Sequence, residues 1–570
     1  PVTVPNTIVS DSRTASGHQV MAQWNLPTIC YYDTIRYDIP VSDVHGSTAT
    51  PIDTPMIAWN NQTNIHQNDC HLDSMNTFPH CFITGVAEPV TVYFKNKSDA
   101  THSPGNPYQT SLNVTLKVEN ANHVVTHTSN HDWTGSLCFD ERSSLDLGTF
   151  IPSHGLNYIT VYINTRNGQP DGFHGTPTNI SDTLRYIGYA CDSLLHGDYT
   201  VGGSNPDFAT MADVRNALNY CGINGPTTFH FRPGTYQDFD FRATYIGQSE
   251  VNTITFQGDN VNSVIVTNNH VDTNTNVYGA VTLMNVNNFI FKNLTLQGNN
   301  SAVSRGVVLR GNGSSNILFD GCKITAYPTN STANTSFALG RAVAANTVPD
   351  TIEIRNCTIT GGNYGVYYYG SNTRKNDIKI INSNISSCYR AIYTYYTNPI
   401  IQNNHITQYN MSSHQNFTGI YVDYAVGPDI NGNTIDSTYD AEYGIYLRYA
   451  TLADFFIRNN HVKVGNSNFG VVVANSSSTT ALTGYVYNNE IILHPITATA
   501  SYAMKIESSN LLKVINNSIY AKADAPYSNT AALYIQNNNN TYLDNNILYN
   551  NSNCTDNTDF PLYLAGTSSV

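Results

Sequence analysis

Charge is scarce in this 570-residue chain. Asp, Glu, Lys and Arg make up 12% of it, about half the share usual in soluble proteins, and 41 acidic residues against 27 basic ones leave a net charge of −14. The few basic residues form no cluster, and a binder of the nucleic-acid backbone needs a positive footprint, so nucleic acid is excluded as a partner. No run of about 20 apolar residues occurs, so no span of a bilayer is expected. The ten cysteines include no C-x-x-C pair, which removes the common zinc spacing and leaves no metal site to name. Cys30, Cys70, Cys81 and Cys138 instead read as structural disulfides, and Cys191 and Cys221, which flank a change in sequence character, are expected to pair. Disulfides imply an oxidising, extracellular setting. Pro1 follows no leader, so a trimmed N-terminus is expected, and Val570 ends just after a strand-like phrase, so the natural chain is expected to continue.

What fills the place of charge is Asn, Thr, Ser, 38 Gly and 39 Tyr. A chain of this length exceeds one ordinary core, but a repeat array escapes that limit because each repeat packs only on its neighbours. From Phe289 a phrase recurs, as in FIFKNLTL (289–296), IEIRNCTI (352–359), FFIRNNHV (455–462) and KVINNSI (513–519), in units of about 28 residues. A second phrase falls between: GVVLR (306–310), GVYYYG (365–370), AIYTYY (391–396), GIYVDY (419–424), GIYLRY (444–449), ALYIQN (532–537). Apolar and polar residues alternate in both, the period of a strand with one buried face. The fold class expected is all-β: a right-handed parallel β-helix solenoid with an N-terminal capping helix, preceded by β-sandwich-like modules.

The domains are expected at 1–190 (β-rich, one or two sandwich-like modules), 191–236 (junction and cap) and 237–570 (the β-helix). Runs such as VTVYFKN (90–96) and YITVYINTR (158–166) carry the first, and Thr210 followed by MADVRNALNYCG carries the cap: a helix with Met211, Val214, Leu218 and Cys221 on one stripe and Gly222 as its stop. The turn inside the first phrase repeats Asn293, Asn356, Asn382, Asn403, Asn459, Asn488, Asn516 and Asn545, with Gly321 and Gly432 in the same slot. Asn and Gly both tolerate left-handed backbone, and coils stacked about 4.8 Å apart would let these amides form a hydrogen-bonded ladder.

The stretch GDYTVGGSNPDFATMADVRNALNYCGINGPTTFHFRPGTY (197–236), leading into Asn-rich coils, resembles the opening segment of secreted right-handed β-helix (pectate-lyase-like) surface proteins of the Bacteroidota, adhesin type. The resemblance covers 197–236 closely and 237–570 through its general pattern. It implies a cell-surface location reached through type IX secretion. It also implies O-glycosylation at tripeptides of Asp, then Ser or Thr, then an apolar residue or Thr, which here would place sugar on Thr34, Ser74, Thr183, Ser193, Thr351 and Ser437.

Aligned second phrases put Tyr367, Tyr393, Tyr421 and Tyr446 at one outward position of successive coils, with Tyr369 and Tyr395 two residues on and Tyr396, Tyr424 and Tyr449 beyond. The expected product is an outer aromatic strip suited to stacking on sugars or anchoring a protein. Stabilisation of neighbouring coils is the competing role. A glycosidase or lyase on this scaffold needs paired carboxylates, and the best group is Asp423, Asp436, Asp440 and Glu442 with Arg448, which could alternatively hold Ca2+. His405 and His461 share a column but Thr434 separates them, so they are no metal pair, and Cys322 and Cys357 stack as a bridge or as buried thiols. The function expected is an extracellular adhesin or fibre subunit binding a glycan, a cell-surface partner or its own copies, without a resident cofactor. A polysaccharide lyase or glycoside hydrolase and a phage tailspike are the alternatives.

Overall fold

The computed structural model describes residues 10–14, 17–21, 70–97 without 80, 108–169 without 139, and 183–570 without 238, 269–277, 299–303, 311–313, 328–336, 342–349, 371–375, 387, 409–416, 438–440, 466–467, 477–482, 495–499, 524–529, 539, 553–558 and 569. Two compact units divide the chain, Pro1–Ser193 and Leu194–Val570.

In the first unit a three-stranded antiparallel sheet (Cys70–Met75, Glu88–Asn96, Arg142–Phe150) accompanies a five-stranded one, ordered Phe82–Ile83, Thr183–Cys191, Gly155–Arg166, Gln109–Asn120 and Val125–Leu137. The alternation read in 90–96 and 158–166 is the reason: Val90, Val92 and Phe94 from one sheet and Leu112, Val114, Leu116, Ile159 and Val161 from the other join a single apolar cluster. Among the cysteines, Cys138, Cys191 and Cys221 are disulfide-bonded. Cys81 is a free thiol, contrary to the expectation that it bridges, and Cys30 lies outside the described residues.

The second unit is a right-handed parallel β-helix whose coils each give one strand to three parallel sheets of thirteen, twelve and twelve strands. The first sheet opens with Leu195–Val201, inside the segment expected to be junction and cap, so the stack starts well before residue 237. The helix Met211–Tyr220 lies beside that strand. Thr210 and Asp213 form its capping box, and Met211, Val214, Ala217 and Leu218 are its buried face.

Register keeps like residues in files. In the first sheet Ile380, Ile401, Ile430, Ile457, Val486 and Val514 are consecutive partners. In the second, Ile359, Ile385, Ile406, Ile435, Val462 and Ile491 are. Every one of these side chains is fully buried, and each such burial is worth about 1.5–3 kcal/mol. Toward the N-terminal end the same interior is filled by Phe229, Phe256, Phe291 and Phe319, whose rings stack at 5.8, 5.2 and 5.1 Å.

Between first and second sheets the chain turns through left-handed residues: Asn293, Asn356, Asn382, Asn403, Asn459, Asn488, Asn516 and Asn545 all have φ between 49° and 56°, and Gly321 and Gly432 replace Asn at 65° and 66°. These asparagines make the bend with their side chains exposed, and the ladder expected of them is present in part: Asn488 donates Nδ2 to Asn459 Oδ1 at 3.4 Å and Asn545 to Asn516 Oδ1 at 2.6 Å. The unbroken ladder runs through the following residue. Asn404, Asn433, Asn460, Asn489 and Asn517 each donate Nδ2 to Oδ1 of the next coil's amide, ending on Asn546, at 2.9–3.0 Å. Each also donates to a carbonyl of the preceding coil at 2.8–2.9 Å. The residue after the bend is forced inward by strand alternation, and a buried amide survives there because every donor and acceptor finds a partner. Upstream, Cys322 and Cys357 take the same slot as buried free thiols, whose S–H groups reach the carbonyls of Phe291 at 3.4 Å and Phe319 at 3.5 Å.

Candidate functional site

The third sheet carries the aromatic residues. Tyr367, Tyr393, Tyr421 and Tyr446 are register partners in four consecutive strands, and Tyr369, Tyr395, Asp423 and Arg448 are partners two residues further on. The rings of the first file meet at 5.6, 4.9 and 4.9 Å. The expected exposed strip holds only in part. Tyr367 is 5% exposed and packs with Val308 and Tyr364, while Tyr393, Tyr421 and Tyr446 are half-buried.

The burial comes from a neighbouring file that the sequence reading passed over: Tyr364, Arg390, Thr418, Tyr443, Phe469 and Tyr502, at or near the strands' opening positions. Tyr364 stands 4.6 Å from Tyr367, Tyr443 4.6 Å from Tyr446, and Tyr502 4.1 Å from Tyr534. The signal was present, because each of these residues immediately precedes the small residue of the second phrase. Burial raises the phenol pKa values of Tyr393 and Tyr443, and it pushes Tyr421 up to about 12 against the opposing pull of Arg448. The hydroxyls therefore stay protonated and able to donate hydrogen bonds throughout the neutral range.

The bend between the third and first sheets forms a second cluster. Tyr396, Tyr424 and Tyr449 have φ of 54°, 51° and 55°. In the coils that follow, the slot is held by Asn475, Ser508, Asn537 and Gly566, also left-handed. The three tyrosines stack at 5.0 and 4.4 Å, Tyr395 lies 4.3 Å from Tyr396 and 5.3 Å from Tyr424, and Tyr369 stacks on Tyr395 at 4.6 Å. Arg448 lies over Tyr449 at 5.2 Å and is held by both carboxylate oxygens of Asp423, one of them 3.1 Å from Nε. The result is a continuous, partly exposed tyrosine corner with a neutralised ion pair beneath it.

The carboxylates do not form the catalytic group considered from sequence. Asp423 is fully buried against Arg448 in the third sheet, Asp436 stands in the second sheet between Thr407 and Lys463, and Glu442 bonds Tyr443. Asp440 lies outside the described residues. The spacing of carboxylates in the sequence hid that 423 and 436 fall on opposite sides of the first-sheet strand Asp429–Asn431. His405, Thr434 and His461 are register partners in that order, and His461 Nδ1 lies 2.9 Å from Glu490 Oε2. Among the described residues no three His, Cys, Asp or Glu side chains group as metal ligands, and no helix is long and apolar enough to cross a membrane.

Of the residues matching the O-glycosylation tripeptide, Ser437 is 1% exposed and bonded to Gln408, which removes it as an acceptor in the folded protein. Ser193 is exposed, Thr183 and Thr351 are half-buried, Ser74 accepts from Arg142 at 3.2 Å, and Thr34 lies outside the described residues.

The profile of the family described as right handed beta helix region matches residues 340–519. No curated protein matches the chain. Similar solved structures include DFA-IIIase from Arthrobacter chlorophenolicus A6 (12% identity, TM-score 0.33, covering 59% of this chain and 78% of that one) and pectin methylesterase from carrot (15%, 0.31, 52% and 82%). The surface protein and adhesin PfbA of Streptococcus pneumoniae is another (13%, 0.33, 62% and 94%). On the family match and the three parallel sheets, this is a right-handed parallel β-helix protein.

Proposed function

We propose that the protein is an extracellular surface protein, an adhesin or fibre subunit of the Bacteroidota type, that binds glycan on its tyrosine corner and does no catalysis there. The observation that carries this reading is backbone strain. Left-handed backbone costs an ordinary side chain about 1–2 kcal/mol, and a bulky residue in that region is an outlier. Three consecutive coils accept that cost at Tyr396, Tyr424 and Tyr449, although the coils beside them use Asn, Ser or Gly in the same slot. Strain of this kind is held where the surrounding structure over-determines it, and it clusters at functional sites. The flat ring and hydroxyl of Tyr suit the apolar face and ring hydroxyls of a sugar. Disulfides at Cys138, Cys191 and Cys221 support an oxidising location.

The test replaces Tyr396, Tyr424 and Tyr449 together by Asn, the residue the fold itself uses at 475. Binding is read on an array of neutral and acidic glycans and folding by thermal unfolding. Loss of binding with an unchanged or raised melting temperature is expected. Retained binding, or release of reducing or unsaturated ends from a polysaccharide, would replace the proposal with a structural role or with an enzyme.

A further inference from the structure

One arginine of the coil stack lacks what others have. Arg242 is paired with Asp240, Arg355 with Asp320, Arg448 with Asp423 and Arg458 with Asp429. Arg390, at the start of the third-sheet strand Arg390–Tyr395, meets no carboxylate within ion-pair distance among the described residues. Its guanidinium instead sits among four rings: Tyr364 at 5.8 Å, Tyr389 at 5.4 Å, and Tyr393 and Tyr421 at 5.5 Å each. Nη1 donates to Tyr364 Oη at 3.3 Å, and Nε is buried without a hydrogen-bond partner. Aromatic faces compensate a guanidinium charge only in part, and a half-buried charge without a counterion is costly. In a chain of net charge −14 a carboxylate partner would have been easy to supply.

We infer that Arg390, framed by Tyr393 and Tyr421, is the site that receives an anionic group of the bound glycan, the carboxylate of a uronic acid or the ester of a sulfated sugar. This rests on the glycan-binding reading above and names the class of sugar. Planar N–H pairs of arginine fit both anions in a two-point contact, and the flanking rings supply the stacking surface for the sugar that carries the charge. Arg390 opens the strand and Tyr396 follows its last residue, at most roughly 20 Å away at about 3.3 Å per residue, so a single oligosaccharide lying along the strand can meet both the tyrosine corner and the arginine.

The experiment measures binding of four probes to the intact protein by calorimetry: a galacturonic acid hexamer, the same hexamer fully methyl-esterified, a sulfated galactose hexamer and its unsulfated counterpart. The wild type is expected to bind at least one charged probe tenfold or more tightly than its uncharged match, with affinity falling as salt rises. In Arg390→Gln the charged and uncharged members of that pair should bind equally, with the melting temperature held within about 3 °C, and Arg390→Lys should recover part of the preference. Which charged probe wins separates carboxylate from sulfate. Binding of neutral probes with no preference for charge, or a preference that survives Arg390→Gln, overturns the arginine assignment and leaves glycan binding standing. No binding by any probe, together with a blank glycan array, overturns both.

Discussion

From Asn382 to Gly566 the coils of the solenoid turn through left-handed backbone at two corners, and the corners use the same geometry for different ends. Where the first sheet gives way to the second, the bend residue is Asn or Gly in every described coil from 293 to 545, and from Asn404 to Asn517 the next residue buries an amide that bonds to the coils on either side. Where the third sheet returns to the first, the bend residue is Asn475, Ser508 or Asn537 in the late coils, followed by Ser476, Ser509 and Asn538, which link coils by backbone N–H bonds of 2.7–3.1 Å. In the middle coils that second corner holds Tyr396, Tyr424 and Tyr449, and buried Ala425 and Ala450 follow the last two. The backbone dictates a left-handed residue followed by a buried one. It does not dictate tyrosine, and the departure from the cheap choice is what separates a structural corner from a functional one.

The largest effect expected from breaking this comparison lies at the structural corner. Asn460 donates to Ile430 O and Asn489 Oδ1, and its own Oδ1 accepts from the backbone N–H and the amide of Asn433. Asn460→Ala leaves those buried partners unsatisfied, each at about 1–3 kcal/mol, so a loss on the order of 3–5 kcal/mol in denaturant unfolding is expected. Asn459→Ala, one residue earlier, removes an exposed side chain that bonds Asn431 and Asn488, and should cost only about 1–2 kcal/mol, through left-handed strain and the loss of those solvent-exposed bonds. Equal losses at 459 and 460 would mean that the ladder has been assigned to the wrong residue.

A reciprocal swap sharpens the contrast at a smaller scale. Tyr424→Asn should stabilise the folded protein by about 1 kcal/mol, and Asn459→Tyr should destabilise it by a similar amount, because the same φ is being supplied with a better or a worse residue. If Tyr424→Asn is instead destabilising, the stacking of Tyr424 on Tyr396 and Tyr449 outweighs the strain, and the corner is structural after all.

These residues also show what could be read without coordinates. The period near 28 residues and the alternation around Ile401, Ile430 and Ile457 announce stacked strands, because a buried file needs the same kind of residue at the same phase in every coil. The left-handed bend was legible from the exchange of Asn293 for Gly321 and of Asn403 for Gly432. The buried ladder lies one residue beyond the expected one because the coils read Asn-Asn at 403–404, 459–460, 488–489 and 516–517, and composition does not say which amide of a pair is inside. The register of Tyr393 with Tyr421 followed from alignment, but the burial of Tyr367 did not, since it depends on the flanking file begun by Tyr364. Long-range separation of Asp423 from Asp436 was hidden for a similar reason: thirteen residues of sequence carry the chain through one whole sheet to another.

The finest distinction concerns the tyrosines of the sheet face. Burial raises the phenol pKa of Tyr421 to about 12 from an ordinary value near 10. A group whose pKa is raised on folding contributes its full stability below the unfolded value and loses it as pH climbs toward the folded one, so this contribution should vanish between roughly pH 10 and 12. Phenolate absorbance followed together with circular dichroism should therefore show a late-titrating set of tyrosines whose ionisation coincides with unfolding. In Tyr421→Phe, which keeps the ring stacked on Tyr393 but has no proton to lose, the alkaline midpoint should rise by a few tenths of a pH unit. A midpoint that does not move, or tyrosines that all titrate near 10 in the folded state, would mean that Tyr421 is open to water and that its packing between Tyr393 and Tyr446 does not exclude it.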